Sequence, residues 1–181
     1  DQPQESSAQL SIGIVAPTET ADDSYAVGML TQILGGDGNS RLFQTVSQRK
    51  GLTYGLGSQY AGQNNSGSIY VGGSIQSTRA NEAIDTIFEE MKGMQERPVS
   101  GLELDRLKRN SRYVIAKTFE TNEGHTHAIE TKHDKGITPE EHLAKVDAVT
   151  PADVQRAAQV YLPKDREQGK YVLMLRDPLK Q

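Results

Sequence analysis

The chain has 181 residues, with 20 Lys and Arg against 24 Asp and Glu, and a formal net charge of −4. At 35% hydrophobic and 24% charged it has the make-up of one soluble domain. No stretch approaches the ~20 consecutive apolar residues of a membrane span, and the mild acidity lacks the basic stripe that a nucleic-acid binder sets against phosphates. There is no Cys, which excludes disulfides, thiolate catalysis and Cys-ligated zinc without choosing a compartment.

The chain opens at Asp1, without Met or a signal-peptide pattern, and is read as a segment of something longer. Residues 1–8 are polar and aperiodic, a tail or linker end, and 9–178 read as a single domain. Leu10, Ile12, Ile14 and Ala16 alternate as in a half-buried strand, which Pro17 ends. Asp22 or Asp23 then caps a helix whose apolar stripe is Ala26, Val27, Leu30, Ile33 and Leu34. Gly35-Gly36-Asp37-Gly38 breaks it, glycine being the residue that takes a left-handed helix end. Asn39 or Ser40 caps a shorter helix to about Arg49, with Leu42, Phe43 and Val46 inward, and Gly51 closes it.

Two strands follow, one placing Tyr54, Leu56, Ser58 and Tyr60 on a common face and the other Ile69, Val71, Gly73 and Ile75. Asn64-Asn65-Ser66-Gly67 between them suits a hairpin, since these residues tolerate positive φ. Ala83, Ile84, Ile87, Phe88, Met91 and Met94 recur at helical spacing from Ala80 to Glu96. Ser100-Gly-Leu-Glu103 is a capping box that starts a helix running towards His133. Thr138-Pro139-Glu140-Glu141 and Thr150-Pro151-Ala152-Asp153 start two more, each with Pro at the first helical position. The last ends near Tyr161-Leu162-Pro163, and residues 171–175 form a short apolar run suited to a buried strand. The order β-α-α-β-β-α-α-α-α-β predicts an α+β fold, a four-stranded, largely antiparallel sheet with helices packed on one face.

Candidate chemistry is sparse. Gly36-Asp37-Gly38 matches only half of a dinucleotide fingerprint and follows a helix instead of a strand, so a tight interhelical turn is the simpler reading. His127, Glu130 and His133 lack the four-residue His spacing of helical zinc hydrolases. At ~100° per residue the two rings lie about 120° apart, and a solvated acidic face accounts for them. The pairs Glu89-Glu90 and Glu140-Glu141 diverge by about 100° and cannot act together on one substrate. No G-x-S-x-G elbow is present.

Three segments in order, Ile33-Leu34-Gly35-Gly36, Ser40-Arg41-Leu42-Phe43 and Lys50-Gly51-Leu52-Thr53-Tyr54, resemble the C-terminal, non-catalytic domain of the insulinase or pitrilysin (M16) zinc metallopeptidases. The opening strand, Ser100-Gly-Leu-Glu103-Leu104 and Val149-Thr150-Pro151-Ala152-Asp153-Val154 extend the likeness over nearly the whole chain. The resemblance implies one wall of a clamshell around an unfolded peptide. It implies no metal in this domain, because zinc is held by an H-x-x-E-H motif in an N-terminal domain or partner subunit. In many such domains an Arg, followed seven residues later by a Tyr, reaches towards the zinc site. Tyr54 matches the Tyr, but Ser47 stands where the Arg is expected, and Arg49 falls on the opposite side of a helix. Two accounts fit: a zinc subunit's C-terminal domain whose partner supplies the Arg and Tyr, or a degenerate structural homologue. A core-packed Tyr54 and a chamber-facing Tyr54 both remain open. A rival reading is a scaffold, as in the core subunits of the respiratory bc1 complex. Exported bacterial relatives point to the periplasm, with the cytoplasm as the alternative.

Overall fold

The computed structural model describes residues 7–118 and 136–177. Four strands, β1 (Ser7–Val15), β2 (Thr53–Gly62), β3 (Gly67–Gln76) and β4 (Tyr171–Arg176), form one sheet in the order β2-β3-β1-β4. Every neighbouring pair is antiparallel. The helices are α1 (Ser24–Gly35), α2 (Ala80–Glu96), α3 (Gly101–Thr118), α4 (Pro139–Ala148) and α5 (Pro151–Tyr161), with a π-helical segment at Phe43–Arg49. The α+β architecture expected from the element order is the one observed. The helix expected to run to His133 is described only to Thr118, and His125, His127, Glu130 and His133 lie outside the described residues.

Alternation on β1 puts Ala8, Leu10, Ile12 and Ile14 at 2% exposure or less against the helices. They meet Ile69, Val71 and Ile75 of β3, the stripe Val27, Leu30, Ile33 and Leu34 of α1, and Ile84, Ile87 and Met91 of α2 in one core. Burying each such side chain contributes roughly 1.5–3 kcal/mol. The capping boxes predicted at Thr138 and Thr150 both form, each Thr hydroxyl accepting from the backbone three residues on while that residue's carboxylate returns the bond. Ser100 and Glu103 make the third.

Several local expectations give way to packing. The strand starts two residues before the expected domain boundary, with Ala8 fully buried. Asp23 makes no cap hydrogen bond; its carboxylate accepts instead from Arg156 (2.9 Å) and the Tyr161 hydroxyl (3.2 Å), tying the start of α1 to α5. Gly36 ends α1 in right-handed geometry, φ −79°, ψ −26°. The glycines serve close approach, since a Cβ at Gly35 would lie 2.6 Å from the Ser58 nitrogen. The hairpin forms with Gly62 opposite Gly67, yet none of its turn residues has positive φ; a Cβ at Gly67 would fall on the Pro17 carbonyl. Ser40 does not cap, its hydroxyl being buried without a partner. β4 is an edge strand with Val172 and Met174 each 64% exposed, not the buried strand its apolar run suggests.

Candidate functional site: the bulge that carries Tyr54

The three segments that carry the family likeness run from the end of α1, past the start of the π-helical segment, to the start of β2. The first turn is fixed to α3 by two ion pairs of opposite sense. Arg41 from the turn forks onto Glu103, with Nε to Oε1 at 3.0 Å and Nη2 to Oε2 at 3.1 Å, and Arg106 from α3 reaches back to Asp37. Burial works to raise the Glu103 carboxyl, but hydrogen bonds from Arg41 and Ser100 outweigh it and hold it below the usual range. Asp37 is lowered in the same way, burial being overcome by Arg106 and the Asn39 N–H. Arg41 is therefore engaged in structure, with its side chain only 22% exposed.

The π-helical segment hands the chain to β2. The Lys50 N–H bonds the Thr45 carbonyl at 3.1 Å, the i to i+5 step that gives the segment its wide turn. Gly51 then takes φ +60°, a left-handed turn that a side chain resists. Leu52, fully buried, donates to Val46 and accepts from Gln76. Side chains close round this turn: Gln76 donates to the Gly51 carbonyl, Arg79 to that of Lys50, and Lys50 to the Thr86 hydroxyl. A bonded frame thus precedes Tyr54.

Tyr54 itself sits on a β-bulge. Thr53 pairs with Ile75, but Gly55 pairs with Ser74, so one residue of β2 is extra. From Gly55 onward the register puts Leu56, Ser58 and Tyr60 towards the core, where Leu56 and Tyr60 pack against it and Ser58 is 8% exposed. Tyr54 is out of phase with them and 63% exposed. The shared face expected for these four residues is thus corrected, and so is the core-packed alternative for Tyr54. A one-residue insertion flips the side of everything beyond it.

Ser47 is half-exposed, and its carbonyl accepts from the Gly51 N–H at 3.0 Å. Arg49 turns to Thr45 of its own segment and towards Glu90 of α2, 3.8 Å away, with its side chain largely exposed. The structure thus places Tyr54 and Ser47 at the two ends of one hydrogen-bonded turn, without an Arg in the second position. Thr53, Gly73 and the Arg41–Glu103 pair are the contributors that sequence reasoning passed over; their signal was the Thr preceding Tyr54 and the Gly72-Gly73 pair on the opposite strand.

The open side of the sheet continues from Tyr54. Gln9, Ser11, Gly13 and Val15 of β1 face away from the helices, with Ser68, Tyr70, Gly72 and Ser74 of β3 and Val172, Met174 and Arg176 of β4. Arg176 is the one charge among them. Tyr70 lies over Gly72, where a side chain would meet its phenol, and its hydroxyl stands 3.3 Å from Ser11 Oγ.

Zinc ligation does not fit the described residues, which bring together no group of three His, Cys, Asp or Glu able to hold a metal. His142 uses Nδ1 on the Tyr25 hydroxyl at 3.1 Å, and the two rings stack at a tilt. Among the described residues no helix is long and apolar enough to cross a membrane.

A sequence model of the peptidase M16 inactive domain matches residues 1–111. The chain belongs to that family. An uncharacterized zinc protease of Streptomyces coelicolor is 24% identical over 155 residues, covering 84% of this chain and 34% of that protein, so the chain spans about a third of that relative. In structure the chain is similar to a putative zinc protease from Bordetella pertussis Tohama I (TM-score 0.78, 20% identity, covering 98% and 96% of the two chains). It is also similar to the periplasmic protease PqqL of Escherichia coli (TM-score 0.76, 16% identity), covering 96% of this chain and 19% of that one. These likenesses carry the fold; what this M16 inactive domain does with it rests on its own residues.

Proposed function

We propose that this M16 inactive domain forms one wall of a peptide-degrading clamshell and presents Tyr54 to a substrate whose zinc is held elsewhere, by an H-x-x-E-H domain or partner subunit. The observation that carries the reading is the bulge, which lifts Tyr54 out of the alternation of its strand to 63% exposure at the end of a tightly bonded turn. A phenolic O–H held on rigid backbone is a preorganised donor for the oxyanion that develops when a peptide carbonyl is attacked. Ser47 has neither the fork nor the permanent charge of Arg and cannot clamp a carboxylate or carbonyl in two places. The second donor is therefore assigned to the partner. The open face beside Tyr54, with Arg176 the one charge among its described strand residues, suits an unfolded peptide, which brings side chains of every kind. The periplasm is the compartment this reading favours, in keeping with the periplasmic neighbour in structure.

The test is reconstitution. The chain alone should bind no stoichiometric zinc and cleave no peptide; mixed with the H-x-x-E-H half it should support turnover. In that assembly Tyr54→Phe should lower kcat by at least about tenfold, towards the ~10²–10³ lost with an oxyanion donor, with KM little changed. Tight zinc on the chain alone, or full activity of the Tyr54→Phe variant, would end the reading.

A further inference from the structure

Thr53 stands at the step of the bulge. Where an extra residue interrupts a ladder, the backbone groups beside it lose their partners and must find others. The Thr53 hydroxyl serves both strands at once: Oγ1 donates to the Ser74 carbonyl at 2.5 Å and accepts from the Gly55 N–H at 3.0 Å. Its partners flank Tyr54 on the far side of the bulge, on β2 itself and on β3 across the ladder. The hydroxyl thus spans the irregularity, tying down the chain before and after Tyr54.

The opposite strand is cut to match. Gly73 has φ +153°, and a Cβ there would fall on the Gly55 carbonyl. Gly55 therefore presses into the space that Gly73 vacates, while Thr53 holds its N–H. A Val at position 53 has nearly the same shape and makes neither hydrogen bond, so the Gly55 amide and the Ser74 carbonyl each lose one partner.

We infer that Thr53 is the positioning residue for Tyr54, fixing the bulge, and through it the direction of the phenol, by bridging the Ser74 carbonyl and the Gly55 amide. The inference rests on the reading of Tyr54 given above and adds to it the group that sets its aim. Thr53 touches no reacting atom. Its effect should appear in kcat, because a donor displaced by about 1 Å can cost on the order of a hundredfold in rate while binding elsewhere on the substrate is untouched.

The experiment compares Thr53→Val and Thr53→Ser, with Thr53→Ala as the second hydroxyl-free variant should Val impair folding. Amide exchange at Gly55 is followed by NMR in the chain, and kcat and KM are measured in the assembly with the zinc-bearing half. Val is expected to speed Gly55 exchange at least about tenfold and to lower kcat about tenfold or more with KM within roughly twofold; Ser, which keeps the hydroxyl, should restore both. Unchanged Gly55 exchange in the hydroxyl-free variants would overturn the inference by itself. Faster exchange with unchanged kcat, while Tyr54→Phe still lowers kcat, would overturn it and leave the reading of Tyr54 standing. Unchanged kcat in both Thr53→Val and Tyr54→Phe would remove the reading and the inference together.

Discussion

Ser11 and Ile12 are adjacent on β1, yet Ile12 is fully buried against the helices and Ser11 faces the open side of the sheet. The same division holds for charge. On the helix side Arg41 meets Glu103, Arg106 meets Asp37, Arg156 meets Asp23 and Arg166 meets Asp85. On the open side of the strands Arg176 stands alone among Gly, Ser, Gln and a few apolar residues. Two regions made by the same backbone are thus built for different ends. One is bolted, apolar within and ionic at its seams; the other is nearly uncharged among the described residues, and Tyr54 stands beside it. A strand face with a single charge among its described residues, in a chain that is 24% charged, is consistent with the proposed peptide ligand, met through shape and backbone more than through ion pairs.

The largest test of this contrast is a pair of substitutions. Ile12→Ala should cost roughly 2–5 kcal/mol, the range for emptying a buried site, whereas Val172→Ala on the exposed face should stay within about 0.5 kcal/mol; urea unfolding of both reads the difference. Comparable losses would show that the open face is covered in the isolated chain.

Next comes the acid limb. Glu103, Asp37 and Asp153 all have carboxyls held below their ordinary values. For Asp153 the first cause is the hydrogen bond from the Thr150 hydroxyl, then the Thr150 N–H. A lowered native value means that the unfolded chain takes up protons first as the pH falls. The stabilisation is therefore complete above the ordinary carboxylate values of 4.5 for Glu and 3.8 for Asp, and is lost as pH falls through them towards the depressed native ones. Glu103→Gln should lower Tm at pH 7 and flatten the fall of Tm between about pH 5 and 3. A parallel curve would assign the acid sensitivity to other groups.

Thr150→Ala removes a cap and half of a capping box, and should cost about 1 kcal/mol, measured by thermal unfolding. The smallest effect is expected at position 47. If the partner supplies that charge, as proposed, Ser47→Arg should leave turnover of the assembled enzyme unchanged or reduce it by crowding; a large rise in kcat would mark the site as one that decayed in this chain.

Much of this could be read in advance. The alternation of β1, the stripes of α1 and α2, and the boxes at Ser100, Thr138 and Thr150 are local signals, each complete within a few residues, and each appears where the periodicity put it. Tyr54 could be singled out by family likeness but not placed. Its neighbours Leu56, Ser58 and Tyr60 keep a clean alternation of their own, and a strand with one extra residue looks in sequence like a strand without one.

What the sequence determined by itself was the set of elements and the apolar face of each, because periodicity and capping are properties of neighbours along the chain. What tertiary structure alone decided was the phase and the partners. Thr53 meets Ser74 across 21 residues, Arg41 meets Glu103 across 62, and Asp23 gives up its cap for Arg156 across 133. Gly35 and Gly67 are glycine because backbone from elsewhere occupies their side-chain space. Such choices depend on which groups two distant stretches bring to one place, and that is fixed only when the layers close.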